Sequence, residues 1–200
     1  MYARLTTGQI RPGKENEAIR LAWEVVLPVA RDQPGYRGLI SLFDWATGKY
    51  LVISLWGTEA DRQAGEMRGH VQEQLDAVMA GPTTGETFTV ALREATPGSA
   101  AVARVLTARA KLATLGECVG IVGEAIQSVS RKQHGFRAAL ALLDRSTGSD
   151  YSISLWETEA DRQAGEQNGY VREQLARVGA FLEGPVIRET FEVVVADLPP

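Results

Sequence analysis

The chain has 200 residues, 44% of them hydrophobic and 23% charged, and a formal net charge of −4. That balance suits a soluble globular protein. It offers no basic patch for nucleic acid, no apolar run long enough to span a membrane and no signal-peptide pattern. One cysteine, Cys118, excludes an internal disulfide and fits a reducing cytoplasm. Set among apolar helix residues, it reads as a buried structural thiol.

In chain order, residues 2–10 read as a strand ending at the Pro12-Gly13 turn signal. Residues 14–31 read as a helix, with Ala18, Leu21, Ala22, Val25, Val26 and Val29 at helical spacing and Pro28 helping to end it. Residues 36–45 and 49–56 form two strands joined through Asp44 to Gly48, where Gly48 can take positive φ. On the second of these, Leu51, Ile53 and Leu55 face one way and Tyr50, Val52, Ser54 and Trp56 the other. Thr58 caps a second helix with Asp61 in capping-box position, and Ala60, Ala64, Met67, Val71, Leu75 and Val78 form its apolar stripe. Gly65 and Gly69 interrupt that helix, which implies a break or a close backbone approach. Residues 86–92 are a fourth strand.

The order then repeats. Ile53-Ser-Leu-Trp56 and the corner through Glu66 return as Ile153-Ser-Leu-Trp156 through Glu166, differing only at Gly57 against Glu157. The boundaries drawn from the repeat are residues 1–94, a breaker-rich linker over 95–101, and residues 102–200. Each half reads β-α-β-β-α-β, a ferredoxin-like unit with helices on one sheet face. The bare face needs cover, and the expected fold is α+β, two such repeats packed sheet to sheet as an intramolecular dimeric α+β barrel. A further homodimer is left open.

The segments Pro34-Gly-Tyr-Arg-Gly, Asp44-Trp-Ala-Thr-Gly and Ile53-Ser-Leu-Trp-Gly-Thr-Glu-Ala, with their second-half counterparts Gly135-Phe-Arg, Asp144-Arg-Ser-Thr-Gly and Ile153-Ser-Leu-Trp-Glu-Thr-Glu-Ala, carry a resemblance. The chain resembles the antibiotic biosynthesis monooxygenase domain family of the dimeric α+β barrel superfamily, twice over. The resemblance implies a ligand cleft within each unit, between sheet and helices. In some members it implies cofactor-free oxygenation of phenols, anthrones or quinols, and in others haem degradation. The haem-degrading members use a first-strand asparagine, a second-helix tryptophan and a histidine further along that helix. The asparagine and the tryptophan do not occur at those places here, which disfavours haem.

The candidate ligand-binding residues are Trp56, Trp156, Tyr170, Arg4, Arg104 and Met67, and the candidate general base is His70. A tryptophan can stack on a flat ring, though each also anchors a strand-helix corner. Imidazole can deprotonate a phenol, though a partly buried ring with its tip in water fits the same spacing. The strand arginines can bind an anion or form structural ion pairs. No phosphate loop, nucleophile elbow or metal-ligand spacing is present, so no metal is expected, and the resemblance to the cofactor-free members implies no cofactor. The expected function is binding of a small aromatic molecule, with cofactor-independent monooxygenation as its catalytic form. A non-catalytic binding or assembly protein is the alternative. The two clefts are expected to differ.

Overall fold

The computed structural model describes residues 1–65, 70–128, 132–167 and 169–199. The fold is α+β, with two β-α-β-β-α-β repeats whose strands hydrogen-bond in the order β1-β3-β2-β8-β5-β7-β6-β4 and close into an antiparallel barrel. The chain divides into two compact units, residues 1–88 with 192–200 and residues 89–191.

In the first unit, β1 (Tyr2–Gln9) and β2 (Tyr36–Phe43) flank β3 (Lys49–Trp56). Leu5 and Ile40 both stand opposite Ile53, and all three are fully buried. The period-2 reading of β3 holds: Leu51, Ile53 and Leu55 have at most 1% exposure, while the alternate residues face the helices. In the hairpin, the Asp44 carboxylate accepts from the Ala46 backbone N–H (3.0 Å) and the Thr47 hydroxyl (2.6 Å), and Gly48 has φ 74.

The first helix of this unit runs as α1 (Glu15–Leu21), a π turn (Ala22–Val26) and α2 (Leu27–Arg31). It ends at Arg31, with Pro28 in its last turn. Proline has no N–H for the carbonyl four residues back and crowds that carbonyl, and a widened turn before it relieves the clash. The second helix also divides, into α3 (Glu59–Ala64) and α4 (His70–Val78). Thr58 and Asp61 make the reciprocal capping box read from the sequence. Met67 and Gly69 lie outside the described residues.

The second unit repeats the plan with β5 (Val102–Arg109), α5 (Leu115–Ser128), β6 (Phe136–Leu143), β7 (Ser149–Trp156), α6 (Glu159–Gln167) and α7 (Tyr170–Gly179). Gly169, at φ 80, is the N-cap of α7, in a conformation that favours glycine.

The remaining strands, β4 (Thr84–Ala95) and β8 (Ile187–Asp197), are long, and each divides between the two units. The end of β4 pairs with β6, from Thr89 opposite Leu143 to Ala95 opposite Ala138. The end of β8 pairs with β2, from Glu192 opposite Phe43 to Asp197 opposite Leu39. Each sheet is thus completed by residues from the other sequence repeat. No helix among the described residues is long and apolar enough to cross a membrane.

Candidate functional site

The second unit holds a cavity of about 110 Å³ between its sheet and helices. Strand alternation supplies the floor: Arg104, Leu106 and Ala108 from β5, and Asp150, Ser152 and Ser154 from β7. Helical spacing supplies the roof, with Cys118, Ile121 and Val122 from α5 and Gln174, Leu175 and Val178 from α7. Most of this lining is apolar, which leaves its few ionisable groups in a poor solvent.

Asp150 is the first of these. It is half-buried on the cavity wall, and its Oδ1 accepts a hydrogen bond from the Ser152 hydroxyl at 3.2 Å. Burial among apolar groups pushes its carboxyl up to about 7, against an ordinary value of 3.8, and the serine offsets this only in part. The Cys118 thiol on α5 is raised in turn, by burial and by the field of Asp150. A carboxyl that titrates near neutrality inside an apolar pocket can accept a proton from a weak acid.

Arg104 is the second. Its residue is 7% exposed, and its guanidinium lies 5.8 Å from the centre of the Trp156 ring. Nη1 is 3.7 Å from Glu166 Oε1, outside hydrogen-bond range, and has no hydrogen-bond partner. Glu166 is held more closely by Arg162, whose Nη1 donates to it at 2.6 Å. Burial brings the Arg104 guanidinium down to about 10. Arg104 stands opposite Ser154 in the β5–β7 register, and Ala108 stands opposite Asp150. The two charged groups therefore start four strand residues apart, about 13 Å.

The first unit has its own cleft, about 130 Å³, lined by Arg4, Thr6, Tyr50, Ser54, Trp56, Gly65 and others. Where the second unit has Asp150, this one has Tyr50, whose ring lies across Gly8. Burial raises the Tyr50 phenol to about 12, so it stays neutral. Serine replaces Val52 at position 152, and leucine replaces Thr6 at position 106. Among the described residues that line the two clefts, the ionisable acid belongs to the second.

The residues singled out from the sequence fall in different places. Trp56 and Trp156 are each 1% exposed and anchor the corners. Their indole N–H groups donate to Ser54 (2.9 Å) and Ser154 (3.0 Å), and their rings meet Tyr36 and Phe136 edge to face. Trp56 touches the first cleft, and Trp156 backs Arg104 from outside the second cavity's lining. Arg4 and Arg104 line the first and second clefts respectively. His70 lies on the open face of α4, its side chain 80% exposed, beside Glu73 and Gln74. It lines neither cleft. Tyr170 begins α7, and Met67 lies outside the described residues. Asp150 is not among the candidates singled out from the sequence. Its sequence signal was a carboxylate on the helix-facing side of a strand, where the first copy carries a tyrosine.

No protein-family model matches the chain, and no curated protein sequence does. Solved structures do match over nearly its whole length. A candidate monooxygenase from Lactobacillus acidophilus NCFM has a TM-score of 0.77 at 12% identity, covering 98% of this chain and 93% of that one. Another from Fusobacterium nucleatum has 0.76 at 9%, covering 99% and 92%. An anthrone oxidase-like protein has 0.69 at 17%, covering 100% and 94%. The likeness is one of fold alone, a duplicated ferredoxin-like α+β barrel. Among the described residues, no group of three or more His, Cys, Asp or Glu side chains is placed to hold a metal ion.

Proposed function

We propose that the second unit binds a small aromatic molecule bearing a hydroxyl and oxidises it with molecular oxygen, Asp150 acting as general base. The observation that carries this reading is the carboxyl raised to about 7 on the wall of an apolar cavity. The shared fold with structures described as monooxygenases and as anthrone oxidase-like lends support.

Asp150 takes the phenolic proton, and the resulting phenolate is electron-rich enough to reduce oxygen. One oxygen atom bonds to ring carbon and the other leaves as water. The phenol becomes a quinone by losing four electrons, which the oxygen molecule accepts. The protein excludes water, holds the ring and moves the proton. The cavity is of the order that holds a single aromatic ring. That favours simple phenols and quinols over fused polyketides, and haem is much larger than either cleft. Asp150 replaces His70 in this scheme because His70 faces solvent.

The test is oxygen uptake with a panel of phenols, naphthoquinols and anthrones. One oxygen molecule should be consumed per substrate, and Asp150→Asn should lower the rate about 100-fold or more. An unchanged rate in Asp150→Asn defeats the base assignment. Saturable binding without any uptake leaves the non-catalytic binding protein as the better reading.

A further inference from the structure

Resting on the assignment of the second cleft as the ligand site, we propose that Arg104 forms an anion subsite at one pole of its cavity, so that the ligand is a small aromatic carboxylic acid carrying its hydroxyl at the far end. Three observations support this. Arg104 is more than nine-tenths buried, lines the cavity, and has an Nη1 without a hydrogen-bond partner. Its nearest carboxylate, Glu166, stands off at 3.7 Å and is engaged by Arg162 at 2.6 Å and approached by Arg188 at 3.6 Å. Three guanidinium groups thus converge on one acidic side chain, which leaves Arg104 the least served. The Trp156 ring backs the guanidinium, and the strand register sets it about 13 Å from the start of Asp150.

A neutral phenol in this cavity leaves a buried guanidinium N–H unpaired. A carboxylate completes it with a charge-assisted hydrogen bond in surroundings of low dielectric. Sites built around such a donor reject analogues lacking the acceptor far more strongly than apolar pockets reject a missing methyl group. The two poles also fix the direction of binding, with the carboxylate at Arg104 and the hydroxyl at Asp150.

The experiment is calorimetric titration at pH 8 with 4-hydroxybenzoate and its neutral amide, 4-hydroxybenzamide. Wild type should bind the acid at least about tenfold tighter than the amide. In Arg104→Gln that ratio should fall to near one, with amide affinity unchanged. Glu166→Gln removes the competing carboxylate and should tighten the acid but not the amide, which keeps the test alive if Arg104→Gln does not fold. Equal affinities in wild type, or an acid preference that survives Arg104→Gln, overturns the anion subsite while leaving the cleft as a ligand site. Absence of binding by both compounds overturns the subsite, and oxygen uptake with neutral phenols then decides separately whether the functional reading of the cleft stands.

Discussion

At the scale of single residues, the informative contrast is Tyr50 against Asp150. Both sit at one position of the repeat, on the helix-facing side of the strand, yet one is a neutral phenol and the other a carboxyl held near neutrality. Such a carboxyl destabilises the fold. Because the folded-state value lies above the unfolded one, the native protein holds the proton while the unfolded chain ionises, and native stability falls as pH rises from about 4 to about 7. Asp150→Asn has no such loss. It should be more stable than wild type at pH 8, by about a few kcal/mol at most, and so unfold at a higher temperature, and the gap should close near pH 3. Thermal melts across that range check this, and a variant less stable than wild type at pH 8 contradicts it. A gain in stability with a loss of activity is the pattern expected of a functional residue.

At the scale of elements, the strand-helix corner is where the sequence was most legible. The Thr58 cap, the acidic first turn and the alternation of β3 follow from local chemistry, and the structure keeps each. Gly65 and Gly165 show what local reading could not resolve. Both lie under the corner tryptophan, but a Cβ on Gly65 would overlap the Trp56 ring, while one on Gly165 would meet Trp156 at 3.0 Å and the end of Gln133 at 2.5 Å. The Trp56 ring is fixed by its bond to Ser54, whereas a glutamine tip can move. Gly65→Ala should therefore lose about 1–3 kcal/mol of stability. Gly165→Ala should be near neutral, its strain offset by better helix propensity. Denaturant melts of the two variants compare them directly, and equal losses would contradict the assignment. The π turn before Pro28 belongs here too. Proline was visible in the sequence, but whether a helix stops or widens around it depends on packing beyond the local segment.

At the scale of the whole chain, the repeated corner marked two β-α-β-β-α-β units, and the fold is the barrel that this implies. The exchange of strand ends was not legible. A strand's length and alternation do not say which neighbour each part of it pairs with, and β4 and β8 each serve both units. Two outcomes follow. Residues 1–94 and 102–200 produced separately should each lack a cooperative thermal transition, because each needs strand residues from the other, and they should gain one when mixed. Two well-folded separate halves would contradict this. The clefts should also be unequal: 4-hydroxybenzoate should bind at one site per chain, and Tyr50→Phe should leave oxygen uptake unchanged. The residues flanking the repeated corner, rather than the corner itself, carry that difference.

Whether Asp150 is a base poised by its cavity is decided by the pH profile of oxygen uptake. With a phenol that turns over, the wild-type rate should rise through a single step near pH 7 as Asp150 loses its proton. In Asp150→Asn the step should vanish, with the residual rate following only the ionisation of the substrate. The same step persisting in Asp150→Asn would contradict the account.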